Sequence, residues 1–135
     1  MKPVRRERGS LAVEVVLMVP ALMMIVMFVV FVGRVQAASI AVRHAADVGA
    51  RSGSLTHAAN AEQRAHLSTK EELSRTQHLC ASTRVNATTQ IINGEFMVVA
   101  RAQCVVRMNG LTFLGLSGPT VRGLSSEVID HFRSS

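Results

Sequence analysis

The chain has no tryptophan and no tyrosine, and its aromatic side chains are five phenylalanines. Proteins that bind single-stranded nucleic acid stack bases on aromatic rings and concentrate basic side chains on one folded face. Acidic residues are also few, nine against fifteen lysines and arginines, so the net charge is +6. Much of that excess lies in the first nine residues, which contain four basic residues and one glutamate. The remainder is only mildly basic, and we expect no nucleic-acid partner.

Residue patterns that carry common enzyme chemistry are missing as well. The five histidines show no metal-ligand spacing. The sequence contains no nucleophile elbow, no phosphate-binding loop and no paired carboxylates. We therefore expect no catalytic residues, no metal and no cofactor, and a protein that is not an enzyme.

What the chain does contain is one long apolar run, residues 11–32, in which Glu14 is the single charged residue. At about 1.5 Å per residue this run spans about 33 Å, enough to cross a hydrocarbon core of about 30 Å. Basic residues precede the run, whereas only Arg34 follows it closely. By the positive-inside rule the N-terminus is cytoplasmic and everything after Gly33 is exported. The sequence thus predicts a single helix in the cytoplasmic (inner) membrane.

A secretory signal peptide is the alternative for this run, with Val35-Gln36-Ala37 as its cleavage site. A signal peptide, however, has an apolar core of only about 7 to 15 residues, and it gives no reason for a carboxylate within that core. A charged group inside a membrane costs about 2.5 to 3.5 kcal/mol. Glu14 is therefore either an acid tolerated near the cytoplasmic edge or a functional group.

The order of residues around Glu14 favours the functional reading. A basic leader ends at Gly9, Ser10 follows, Glu14 is the fifth residue counted from Ser10, and Pro20 lies six residues beyond it. This order resembles the N-terminus of the TadE-like family of tight-adherence pilus proteins, which are type IV pilin-like pseudopilins or minor pilins. Residues 49–53 and 125–133 look like further family features. Val15 departs from the family, because many members carry an aromatic residue there.

The resemblance implies a minor pilin or assembly factor, located in the membrane or in a cell-surface pilus. Residues 1–9 would be a leader that a prepilin peptidase removes between Gly9 and Ser10. The new α-amino group and Glu14 would then neutralise each other between packed helices, where an unpaired charge is costly. The other implied partners are pilin-like subunits, which bind through the N-terminal helix, and a pilus assembly platform.

Two alternatives remain open at this point. Pro20 either makes a tolerated kink or softens the helix for its passage from bilayer to filament. The protein itself could instead be a single-pass envelope protein whose small exported domain binds something on its own and takes no part in a pilus.

The fold class predicted for the whole chain is α+β. After the leader, a transmembrane helix occupies residues 10–33 and continues outside the membrane until the glycines of residues 49–53 weaken or end it. Residues 34–79 form a helical region, in which residues 58–79 are a second helical stretch. Ser68-Thr69-Lys70-Glu71 resembles a capping box, where that helix could restart.

Residues 80–135 are predicted to form a small β domain with an antiparallel sheet of three to four strands. Alternating patterns predict strands over residues 82–91, 96–108 and 121–129. Asn93-Gly94 between the first two is a strong hairpin signal, because both residues accept the positive φ of a type I′ turn.

Cys80 and Cys104 are candidates for a disulfide, since cysteines of an exported domain tend to be oxidised. The predicted hairpin places Cys104 opposite Thr83, three residues from Cys80 and roughly 10 Å away in an extended chain. A disulfide needs Cα atoms within about 7 Å. We therefore expect the chain to turn back at residues 81 and 82, and a helix that ends at Leu79 would supply that turn.

Overall fold

A computed structural model describes residues 8–108 and 117–129 of the chain, with side chains from residue 12 onward. The chain divides into two compact units, Met1–Gly33 and Arg34–Ser135. The elements follow in the order of a long helix, a short 3-10 turn, a second helix and three strands. The predicted α+β fold, with a long apolar N-terminal helix, a second helix and an antiparallel sheet, is confirmed.

Helix α1 covers Arg8–Ser54 and contains Pro20. Its C-terminal end is closed by hydroxyl groups, because Ser54 Oγ donates to the Arg51 carbonyl and Thr56 Oγ1 donates to the Ser52 carbonyl. These bonds satisfy carbonyls that have no partner within the helix. The helix therefore passes through Gly49 and ends one residue after Gly53.

Helix α2 covers Ala61–Ser74 and follows the 3-10 turn Ala58–Asn60. The predicted end at Leu79 was wrong by five residues. The backbone N–H groups of Arg75 and Thr76 bond to carbonyls three residues back, and Thr76 Oγ1 also donates to the Leu73 carbonyl. These contacts tighten the last turn and stop the helix.

The capping-box prediction at residues 68–71 was also wrong, because α2 runs through them without a break. Ser68 Oγ is hydrogen-bonded with Ser52 Oγ of α1 at 2.7 Å. Thr69 Oγ1 donates to the Ala65 carbonyl at 2.7 Å and is fully buried. The two hydroxyl groups serve tertiary packing and the helix interior, so neither is available as a cap.

Three antiparallel strands form one sheet in the order β1-β2-β3, with β1 at Cys80–Ile92, β2 at Glu95–Val106 and β3 at Thr120–Val128. The hairpin turn is confirmed, since Asn93 has φ 54° and Gly94 has φ 83°. This turn pairs Ile92 with Glu95, as predicted. Within the described ranges the sheet has three strands.

One face of the sheet, which we call the inner face, packs against the helices. The central strand places alternate residues there, from Val98 to Val106, and each of them is buried. The second half of α1 and Leu73 of α2 cover this face. The main core cluster is made of small and medium side chains, namely Ala38, Val42, Ala45, Ala46, Leu73, Cys80, Ala102, Cys104 and Val106.

The two helices approach closely at the glycines of α1. A Cβ at Gly53 would lie 2.8 Å from the Ala61 carbonyl oxygen and 2.9 Å from Ala65 Cβ. At Gly49 a Cβ would overlap the Thr69 hydroxyl. In each helix the residues at this contact are four apart, so they lie on one side of that helix. The small side chains on these two sides let the helices approach closely. The 49–53 segment therefore has a packing role.

Candidate functional site in the N-terminal helix

The functional residues that the sequence predicts near the N-terminus all lie in α1. Gly9 and Ser10 belong to its first turn, which begins at Arg8, and Glu14 lies one turn further along. Pro20 lies inside the same continuous helix. The predicted leader is described only from Arg8 onward, since residues 1–7 lie outside the described part.

The first half of α1 presents apolar side chains without any cover from the rest of the described chain. Every side chain from Ala12 to Val30 is exposed. The large apolar ones among them have exposed fractions between 50% and 69%. A surface of this kind is stable in lipid or against other apolar helices, and unstable in water. By length and composition, Ala12–Ser54 includes a stretch that can cross a membrane. These observations indicate a membrane anchor.

Glu14 is the exception within this apolar surface. It is exposed, Val13 and Val15 flank it, and Leu17 and Met18 lie one turn further on the same side. From residue 9 to residue 33 the sequence contains no lysine, arginine or histidine. No side chain of this segment can therefore neutralise Glu14. A partner charge must come from outside this segment, that is from the basic residues before it, a backbone terminus, a lipid headgroup or another molecule.

Ser10 lies four residues before Glu14, on the same side of the helix and about 6 Å along its axis. A free α-amino group at Ser10 would thus stand one turn from the carboxylate. In a second helix packed alongside and shifted by about one turn, that group would lie level with Glu14. The spacing suits a charge pair between neighbouring helices.

Pro20 has no backbone N–H, so the carbonyl of Val16 lacks the hydrogen bond that a helix would normally give it. In lipid such a carbonyl is costly unless a neighbouring helix, a hydroxyl or a water satisfies it. Pro20 therefore removes the usual helical bond of the Val16 carbonyl, which lies two residues beyond Glu14 inside the apolar surface.

Cys80 and Cys104 form a disulfide in the second unit, with Cα atoms 5.5 Å apart. Cys104 pairs with Thr83, as expected from the turn, but a β-bulge between Cys80 and Ser82 brings Cys80 opposite Val106. The predicted turn at residues 81 and 82 was wrong, because β1 runs through them and the bulge alone shifts Cys80 toward Cys104. The bridge joins two neighbouring strands and is part of the core.

Sequence reasoning missed a basic surface on the side of the sheet that faces away from the helices, which we call the outer face. Strand pairing aligns Arg84 with Gln103 and Gln103 with Arg122, and Arg101 lies in the next row. The alternation of each strand hinted at these residues, but their meeting depends on the strand order. Among the described residues, no group of three or more His, Cys, Asp or Glu could hold a metal ion.

Comparison with known families finds a match at the N-terminal helix. Residues 9–51 match the model of a family described as TadE-like protein. The match includes Gly9, Ser10, Glu14 and Pro20 and ends at Arg51, so it covers less than half of the chain and does not reach residues 125–133. No significant match was found among curated proteins or among solved structures. Over residues 9–51 the chain is therefore similar to TadE-like proteins, which confirms the resemblance recognised in its sequence.

Proposed function

We propose that this protein is a TadE-type pilin-like membrane protein, a minor pilin or assembly factor of a tight-adherence or type IV-like pilus. One observation carries the proposal. Within the segment that matches the family, an exposed acid lies in an otherwise apolar helix, at the fifth position after a glycine that ends a basic leader. A plain membrane anchor has no need of that acid, because it makes insertion less favourable.

In the proposed topology the leader is cytoplasmic, the first half of α1 spans the inner membrane, and the unit Arg34–Ser135 is exported. The disulfide between Cys80 and Cys104 supports this placement, since such bonds persist in oxidising compartments outside the cytoplasm. In a pilus, the exposed apolar side chains of α1 would exchange lipid for the helices of neighbouring subunits.

Processing comes before assembly in this account. A prepilin peptidase hydrolyses the peptide bond between Gly9 and Ser10, which leaves a new α-amino group on Ser10. That group is positive, and Glu14 of an adjacent subunit is negative, so their pairing removes two unpaired charges from an apolar setting. Because each pair forms only at one axial offset, Glu14 also determines the register between subunits.

The proposed partners are other pilin-like subunits, the prepilin peptidase and a pilus assembly platform, all reached through the membrane helix. We propose no catalytic role and no cofactor for the chain. The competing function is a single-pass envelope protein whose exported domain acts alone. The two functions differ in the state of the N-terminus, since only the first requires removal of the leader with retention of the helix.

Mass spectrometry of the mature protein tests this proposal. In cells that contain a prepilin peptidase, the chain should begin at Ser10 and keep its apolar helix, and in cells without the enzyme it should keep the leader. Gly9→Leu should block cleavage. Gly33→Leu is the matched control, because a side chain at Gly33 meets nothing within 4 Å. A mature chain that begins at Ala38, or an uncut chain in the presence of the peptidase, would refute the proposal.

A further inference from the structure

The outer face of the sheet carries three arginines on three different strands. Arg84 of β1 and Arg122 of β3 lie on either side of Gln103, and Arg101 lies two residues from Gln103 along β2. Neighbouring strands are about 4.8 Å apart, so the Cα atoms of Arg84 and Arg122 are about 10 Å apart. Arginine side chains are long enough to bridge this distance, so their guanidinium groups can converge on a single anion or bind two adjacent ones.

No described acid neutralises this cluster. The ion pairs among the described residues are those of Arg75 with Glu71 and Glu72. The nearest carboxylate on the outer face by strand position, Glu95, lies six residues from Arg101 along β2, about 20 Å away. Arg101 donates a long hydrogen bond of 3.5 Å to Thr88 Oγ1. Arg84 and Arg122 are exposed. The three positive charges thus share one face without an ion pair to any acid in the described ranges.

A cavity of about 290 Å³ lies on the same face, between the outer strands. Arg84, Arg122, Gln103 and the hydroxyl groups of Ser82 and Thr120 are part of its lining. It therefore combines two guanidinium groups with neutral hydrogen-bonding groups. Arginine donates two parallel hydrogen bonds to a phosphate or a carboxylate, so this lining is suited to an oxyanion.

We propose that this basic face binds the phosphate groups of a phosphodiester polymer that carries hydroxyl groups and no aromatic rings. The described side chains of the outer face include no aromatic residue, so bases have no aromatic ring to stack on. Around the arginines, Ser82, Gln103 and Thr120 offer hydrogen bonds, whereas a peptide ligand would need pockets for its apolar side chains. A hydroxylated phosphate polymer matches both features.

A second copy of the chain is a poorer occupant, because the three acids of α2 are already engaged. Glu62 accepts a hydrogen bond from the Thr89 backbone N–H, and Glu71 and Glu72 pair with Arg75. The charge of the chain is positive, so two copies also repel each other at long range. The inference depends on the proposed function only for the extracytoplasmic location of the polymer, and binding can be tested separately from processing.

The test uses the full-length protein in nanodiscs of zwitterionic lipid, with poly(glycerol phosphate) as the probe. Isothermal titration calorimetry at several salt concentrations gives the affinity and its salt dependence. Arg84→Gln, Arg101→Gln and Arg122→Gln combined should weaken binding about tenfold or more and should flatten the salt dependence, because phosphate contacts release counterions. The same three positions changed to lysine should give an intermediate affinity, since lysine keeps the charge but loses the bidentate geometry.

The matched control changes three exposed arginines of the helices, Arg43→Gln, Arg51→Gln and Arg64→Gln, which alters the net charge equally. It should leave the affinity within about twofold of the wild type. An equal loss in both triple variants, or no binding by the wild type at low salt, would overturn the proposal. Tighter binding of polyglutamate, of single-stranded DNA or of anionic lipid nanodiscs would also overturn it, because the partner would then have a different chemistry. Circular dichroism of each variant should show an unchanged sheet.

Discussion

The two halves of helix α1 differ in how their side chains meet their surroundings. Before Gly33 the helix carries valine, leucine, methionine, isoleucine and phenylalanine, and from Ala12 to Val30 every one of them is exposed. After Arg34 the buried positions hold alanine, valine and glycine, of which Ala38, Val42 and Ala46 are fully buried. The more hydrophobic half is therefore the half that the chain leaves uncovered.

This difference separates two uses of apolar residues. Small residues allow a helix to approach a sheet and a second helix closely, and interior packing rewards that fit. Large apolar residues on all sides of a helix have no such partner within the chain, so they require an apolar solvent or other helices. Hydrophobicity alone would therefore misidentify the core, because the most apolar half packs against nothing in the described chain.

Loss of the disulfide should give the largest change in stability, confined to the second unit. The bridge spans a sequence separation of 24 residues. A loop of that size stabilises the folded state by about 3.5 kcal/mol in the chain-entropy model. The double substitution Cys80→Ser and Cys104→Ser should lower the free energy of unfolding by about that amount in urea titrations followed by the circular dichroism of the sheet.

Reduction of the wild-type protein should lower its stability by the same amount. Because reduction introduces no serine hydroxyl groups, it is the control for the double substitution. Protein isolated from the envelope should lack free thiols until it is reduced. Full alkylation of the native, unreduced protein would contradict the prediction.

A side chain at Gly53 should lower the free energy of unfolding by less than loss of the disulfide does. Compared with the same change at Gly33, it shows directly how the two halves of α1 differ. Its Cβ would lie within 3 Å of the Ala61 carbonyl oxygen and of Ala65 Cβ, so α2 would have to move. Gly53→Val should destabilise the second unit by about 2 kcal/mol, as overpacking does. Urea titration measures the loss.

Gly33→Val is the matched substitution in the same helix, at a position where an added Cβ meets nothing within 4 Å. It should leave the unfolding of the second unit unchanged. Equal destabilisation by the two substitutions would mean that helix propensity, rather than close packing at Gly53, explains the effect.

The smallest predicted effect concerns the edge of the sheet. Glu62 Oε1 accepts a hydrogen bond of 2.6 Å from the backbone N–H of Thr89, on the exposed edge strand β1. Glu62→Ala should lower the stability by less than about 1 kcal/mol, because water can replace an exposed acceptor. Amide exchange at Thr89 should nevertheless accelerate. Glu71→Ala, which removes another exposed acid of α2, should leave the exchange at Thr89 unchanged, and equal acceleration in both variants would contradict the role of Glu62.

The sheet was predictable from the sequence because its signals are local. Alternation of apolar and polar residues predicted the strands, and the Asn93-Gly94 turn determined the pairing of β1 with β2. The continuation of α2 through residues 68–71 was not predictable in the same way. Ser68 and Thr69 look like capping residues in the sequence, but their hydroxyl groups bond to Ser52 and to the Ala65 carbonyl in the fold.

The candidate sites also differ in whether they depend on local sequence or on the tertiary fold. Gly9, Ser10, Glu14 and Pro20 were found from their order along the chain, because the resemblance that carries them is a linear pattern. The basic outer face was not found, because Arg84 and Arg122 are distant in sequence and meet only when β3 joins the free side of β2. Strand order is a tertiary property, which neither alternation nor a turn signal encodes.

Replacement of Glu14 tests the central claim most directly, namely that the uncovered half of α1 is an assembly surface. The measurement is pilus production beside a cleavage blot for Glu14→Leu and Glu14→Asp, with Met18→Leu as the control at an exposed apolar position one turn away. Glu14→Leu should insert and be cleaved normally, yet it should abolish assembly, because the α-amino group of Ser10 loses its partner. Glu14→Asp should be intermediate, since it keeps the charge but shortens the reach. Normal pili from Glu14→Leu would contradict the account and leave α1 as a plain membrane anchor.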